Sequence, residues 1–185
     1  MIEPLDALRS QWQTATVDGK SVENVVLSRM AKSYTQTNYN YVRKCVVRRS
    51  TAIRNGDVVT IGTNKYFVTG AIPTQIKLRE ITATVGIYAI VPKYNASNQK
   101  TGDAEVSKAT DVPCVHYSVT ATMKMYDVGL LSDTVKKLLL PTVTLVKNDY
   151  RIKLDGINYW VTSVDSNEYE GLYAVQVKAD NRVTK

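Results

Sequence analysis

The chain has 185 residues, 44% hydrophobic and 22% charged, with a formal charge of +7. That is enough apolar material for one ordinary domain or two small β modules sharing a core, and it excludes a chain disordered throughout. A single histidine and two distant cysteines, Cys45 and Cys114, exclude a disulfide framework and a histidine-rich metal centre.

The excess positive charge favours an acidic partner, either nucleic acid or a protein surface, although solubility alone also accounts for it. Twelve Tyr against one Phe suit half-buried sheet faces and protein interfaces, because each ring is apolar with a polar tip. The opening Met-Ile-Glu-Pro-Leu-Asp has no basic region and no apolar run, so no signal peptide is expected. Apolar stretches such as residues 85–92 are too short to cross a bilayer. An aqueous compartment with reduced, structural thiols is the expectation.

In chain order, Leu5, Leu8 and Trp12 sit at helical spacing and suggest a short helix over 4–12. Residues 22–30 read two ways: a helix capped by Ser21, or a strand around Val25, Val26 and Leu27. Residues 33–40 are polar and suit a loop. Over 41–49, Val42, Cys45 and Val47 are interspersed with Arg43, Lys44, Arg48 and Arg49, a strand with a basic face. Val58–Ile61 and 66–69 are strands around a turn at 62–65, and 76–90 holds one or two more. Between Pro92 and Pro113 the chain is polar and lacks apolar periodicity, which reads as an exposed loop or linker.

Residues 115–125 alternate again and predict a long strand. Ser132, Asp133 and Thr134 offer caps for a helix carrying Val135, Leu138 and Leu139, stopped by Pro141. Residues 143–146, 150–154, 159–164 and 172–178 read as strands, with a turn at Asp155-Gly156.

Two of these hairpins resemble each other. Asn55, Val59, Ile61, Tyr66, Val68 and Thr69 match Asn148, Ile152, Leu154, Tyr159, Val161 and Thr162 at one constant spacing, without a gap. Either the chain contains a repeat, or half-buried hairpins simply look alike. The expected organisation is an N-terminal segment and first β module over 1–92, an exposed loop or linker over 93–112, and a second β module over 113–185. The fold class is mainly β: two related small antiparallel β-barrel or sandwich modules with one or two short helices.

No catalytic constellation stands out. Cys114 and His116 share a strand face but lack an orienting third group. The acidic segment 165–171 has the wrong glycine position and no distal glutamate for a calcium loop. Gly56 and Gly62 have the wrong spacing for a phosphate loop. No catalytic residue, metal site or cofactor is therefore expected. The suggestive cluster is Arg43, Lys44, Arg48, Arg49 and Arg54, with Tyr39 and Tyr41 nearby. It suits a nucleic-acid backbone, or else a solvated edge kept from aggregating by its charge.

The run Asn148-Asp149-Tyr150-Arg151-Ile152-Lys153-Leu154-Asp155-Gly156-Ile157-Asn158-Tyr159-Trp160-Val161-Thr162-Ser163-Val164, followed by a loop and a last strand over 172–178, resembles the hairpin of tailed-bacteriophage head–tail connector proteins (head-closure or stopper, neck and tail-adaptor proteins). Residues 55–69 are similar to hairpins of the same group. Residues 1–40 carry none of the resemblance. It implies a small β barrel in a homo-oligomeric ring, a hexamer, below the portal. Such a ring joins head to tail and helps retain packaged double-stranded DNA. The implied partners are other copies of the chain, a portal or adaptor protein and tail proteins, with DNA in the lumen and no membrane. The implied location is the virion neck or tail, after synthesis in the host bacterial cytoplasm. The other reading is a monomeric nucleic-acid-binding β module acting through 41–54.

Overall fold

The computed structural model describes residues 12–17, 20–27, 42–47, 53–72 and 75–184. The chain divides into two units, Met1–Ile81 with Tyr169–Leu172, and Thr82–Glu168 with Tyr173–Lys185.

The first unit is built on strands β1 (Gln13–Val17), β2 (Lys20–Leu27), β3 (Val42–Val46), β4 (Val58–Ile61), β5 (Asn64–Ile72) and β6 (Gln75–Glu80). They form a closed antiparallel barrel in the order β1-β2-β3-β6-β5-β4. Alternation explains the strands locally. In β4, Val59 and Ile61 are buried while Val58 and Thr60 are half-buried on the other face. Closing the sheet on itself removes its edges and leaves the inward residues as the core. That core holds Ala15, Cys45, Val59, Tyr66 and Leu78, among others.

The second unit contains β7 (Ala83–Tyr94), β8 (Lys100–Ser118), a short helix α1 (Ala121–Tyr126), β9 (Lys136–Pro141), β10 (Arg151–Leu154), β11 (Ile157–Tyr169) and β12 (Leu172–Ala179). Its closed barrel runs β7-β8-β9-β12-β11-β10, the order of the first barrel strand for strand.

The correspondence extends to register. In β4–β5, Val59 faces Tyr66 and Ile61 faces Asn64; in β10–β11, Ile152 faces Tyr159 and Leu154 faces Ile157. The corner before each hairpin is tied by matching hydrogen bonds. Gly56 N–H donates to Val68 O at 2.9 Å, and Asp149 N–H donates to Val161 O at 3.0 Å. A bulge falls at the equivalent place in β1–β2 and β7–β8, after Ala15 and after Val85. Core residues pair off in the same way: Cys45 with Leu138, Val47 with Leu140, Ile53 with Val146. The chain is therefore an internally duplicated barrel, and the hairpin similarity in the sequence is its trace.

The two hairpin turns reach one register by different chemistry. Asp155 and Gly156 both have positive φ, +51° and +77°, as a type I′ turn requires. Gly62 has φ +62° while Thr63 does not share the positive region, the pattern of type II′.

Several expected elements differ. Residues 93–112 are not a loop or linker. They belong to a β hairpin of β7 and β8, paired from Ala83 opposite Cys114 out to Tyr94 opposite Lys100. The polar composition misleads because both faces of this ribbon meet water over most of that length. The true turn, 95–99, is closed by Asn95, whose Oδ1 accepts from the Ser97 and Gln99 N–H groups at 2.9 Å. The boundary between units falls at Ile81, not at 92.

The expected helix carrying Val135, Leu138 and Leu139 does not form: 132–133 are a turn, and β9 begins at Lys136, a run buried on both faces over 137–140, for which helical and strand periodicity cannot be told apart. The helix forms earlier, at Ala121–Tyr126, within the segment expected to continue as strand. Thr120 caps it by accepting the Met123 N–H at 3.3 Å. Residues 143–146 form a turn and loop rather than a strand. The ambiguous 22–30 segment is strand as far as Leu27. The helix expected over 4–12, save Trp12, and the loop over 33–40 lie outside the described residues.

Candidate interaction surfaces

Of the basic cluster, the described residues Arg43, Lys44 and Arg54 lie in three different environments. In β3, Cys45 and Val47 face the core. Arg43 shares their parity and turns over the ring of Tyr66, 5.9 Å from its centre, with its Nε buried and unpartnered. Lys44 points outward and is exposed, directly opposite the exposed Lys77 of β6. Arg54 sits in the corner before β4, exposed, with its backbone N–H donating to Asp57 Oδ2 at 2.7 Å. Arg48 and Arg49 lie outside the described residues. Residues adjacent in sequence alternate in direction along a strand, so a contiguous run becomes several environments.

Both thiols belong to barrel interiors. Burial pushes Cys45 and Cys114 up to about 12, so each is a neutral thiol near neutral pH. Burial first, then the positive charge of Lys136, lowers His116, whose Nδ1 is buried without a partner. Among the described residues no group of three His, Cys, Asp or Glu side chains is placed to hold a metal ion. The acidic segment 165–171 is mostly strand, ending in the turn at Glu170 and Gly171.

The structure adds a polar network that sequence reasoning missed. Arg151, at the start of β10, is 1% exposed. Its Nε donates to Asp180 at 2.8 Å, Nη2 to Arg182 O at 2.6 Å, and Nη1 to Thr184 Oγ1 at 3.0 Å and to Glu105. Lys153 Nζ also pairs with Glu105, at 2.5 Å. Burial works to raise the Glu105 carboxyl, but hydrogen bonds from Lys153 and Arg151 outweigh it and hold the group below its usual range. One network thus fastens residues 180–184 and the base of the β7–β8 ribbon to the second barrel. The available signal was a substitution inside the repeat, since Arg151 stands where the first barrel has Val58.

The second unit also exposes apolar residues, among them two groups close in sequence or across the ribbon. Past Tyr88 the ribbon strands pair only with each other among the described pairings. There Val91 and Val106 are 37% and 39% exposed. In and after α1, Met125, Tyr126, Val128 and Leu131 are exposed within one short segment.

No protein-family model matches the chain, and no match emerges among curated proteins or solved structures.

Proposed function

We propose that the chain is a structural assembly protein of the connector type, a ring-forming neck component that joins the portal of a tailed-phage head to the tail and helps retain packaged DNA. The observation that supports this reading is the hairpin resembling those proteins, on which both barrels are built in one register. The exposed apolar residues on the ribbon and after α1 fit a protein that works by contact. A ring multiplies the +7 charge of each copy, and Lys44 and Lys77 are the outward pair through which a lumen would meet phosphates. Gold-labelled antibody against the chain should mark the head–tail junction of particles that carry it. Intact particles that never take the label overturn the proposal.

A second reading, a monomeric nucleic-acid-binding β module acting through 41–54, draws on the same Lys44–Lys77 juxtaposition. Arg43 counts against it, being turned over Tyr66. Duplex binding by the monomer that weakens steeply with salt supports this reading, and absence of binding at low salt ends it.

A further inference from the structure

Segment 180–184, which follows β12, crosses the outward side of barrel two. The Arg182 guanidinium lies over Trp160 of β11, 4.4 Å from the ring centre. Asp180 accepts from Arg151 Nε of β10, while the Arg182 carbonyl and the Thr184 hydroxyl accept from its other nitrogens. Thr184 Oγ1 also donates to Glu105 of β8 at 3.2 Å. The segment thus reaches from β11 over β10 to the foot of the β7–β8 ribbon.

Arg151 is an outward residue. Its neighbour Ile152 belongs to the core, and successive residues of a strand point to opposite faces. Its 1% exposure therefore comes from what lies over the sheet, not from the barrel interior. Once the segment lifts, Arg151 and Asp180 regain water, so opening leaves no charge buried without a partner. The hold on the segment is also light. Among the described residues its one backbone–backbone bond runs from Asp180 N–H to Asn158 O at 3.2 Å. Its other hydrogen bonds pass through side chains.

The ribbon depends on the same guanidinium. Past Tyr88 its strands pair only with each other among the described pairings. Glu105, opposite Ile90, is tied back by Arg151 and by Lys153, whose Nζ also sits 4.5 Å from the centre of the Tyr88 ring. Barrel one has Val58 and Thr60 where barrel two has Arg151 and Lys153, and a short β1–β2 hairpin where barrel two has the ribbon. It closes all the same. The two cations and the segment over them accompany the ribbon and are not what closing a barrel requires.

We propose that segment 180–184 is a releasable strap that sets the ribbon. Seated, it orients the Arg151 guanidinium so that Nη1 meets Glu105, and the ribbon stands fixed on barrel two. Withdrawn, it lets Arg151 go, and the ribbon swings from its foot near Tyr88 while the barrel stays closed. This goes beyond the connector reading and does not depend on it.

The native cysteines are buried, so spin labels attach only to cysteines placed for them. Ser97→Cys on the ribbon turn with Val143→Cys, both exposed, reads the ribbon by double electron–electron resonance. Val183→Cys with Val143→Cys, both exposed, reads the strap. In the otherwise native chain both distance distributions should be narrow. Arg182→Glu with Thr184→Lys sets a negative charge beside Asp180 and a positive one beside Arg151; both distributions should shift and broaden. Glu105→Gln cuts the link on the ribbon side alone, so the ribbon distribution should broaden and the strap distribution should not. In the unlabelled variants Cys114 should stay unreactive toward an aromatic disulfide, which shows barrel two still closed. The proposal is overturned by a ribbon already as broad in the native chain, by either variant leaving the ribbon distribution unchanged, or by Glu105→Gln unseating the strap. Cys114 reacting in the strap variant overturns it too, because the segment would then belong to the barrel's own stability.

Discussion

Arg151 donates from Nε to Asp180 at 2.8 Å while both side chains are shut off from solvent, 1% and 0% exposed. A guanidinium so placed is tolerable only because Glu105, Thr184 and the Arg182 carbonyl take up its other donors. Replacing Arg151 by Met leaves Asp180 buried beside Arg182 alone, and should cost about 3–5 kcal/mol. Urea unfolding at neutral pH measures this as a lower midpoint. Adding Asp180→Leu should cost less than the two single losses combined, since the partners belong to one network.

Acid should weaken the same network. Burial opposes ionisation of Asp180, but hydrogen bonds from Arg182 and Arg151 prevail and hold its carboxyl well below the usual range; Glu105 is lowered too. Because both folded values are depressed, the unfolded chain binds more protons through this range, and stability rises with pH. The contribution is complete above the unfolded values of about 4 and is lost as pH falls from there toward the folded ones. Urea midpoints should therefore drop between about pH 5 and pH 3, and the drop should be smaller in Arg151→Met.

Neither thiol should react in the native protein. With Cys45 and Cys114 buried and held near 12, the thiolate that attacks a disulfide reagent is scarce and unreachable near pH 8. Titration with an aromatic disulfide should release no chromophore until denaturant is added, and then two equivalents per chain. Fast labelling of either cysteine in native buffer would contradict its place in the core.

The two duplicated corners should respond unequally to exchange. Gly56 and Asp149 hold equivalent positions with φ of +85° and +71°. A Cβ on Gly56 would come within 2.7 Å of the Gly171 backbone, so Gly56→Asp should destabilise by about 1–3 kcal/mol through overpacking. Asp149→Gly loses only the exposed hydrogen bond from Trp160 Nε1 and should cost about 1 kcal/mol or less. Thermal melts of the two variants compare them directly.

Lys77→Glu should uncouple stability from binding. It places opposite charges across β3 and β6 where Lys44 and Lys77 now face each other. The swap should stabilise by about 0.2–1 kcal/mol in low salt. If this pair meets DNA, the same change weakens duplex binding and flattens its salt dependence. Melting temperature and filter binding on one preparation read both effects.

Much of the chain was written locally. Val58–Ile61 alternates, Asp155-Gly156 signals a tight turn, and the matching residues of the two hairpins suggested a repeat without deciding it. Each is a short-range consequence of strand pleat and turn sterics, which act over a few residues. What depended on distant partners was not legible. The run 136–141 is strand because β8 and β12 flank it, although its residues would equally suit a helix. Residues 93–112 look like a linker because a ribbon outside the barrel needs little apolar alternation to pair. Arg151 looks like one more surface cation until Glu105 and Asp180, 46 and 29 positions away, close around it. Local patterning carried the β class and two hairpins alike enough to suggest a repeat. Long-range pairing settles that both repeats close into barrels, that Arg43 turns over Tyr66 while Lys44 faces outward, and where the β7–β8 ribbon leaves the barrel, because each of these depends on which strand lies alongside.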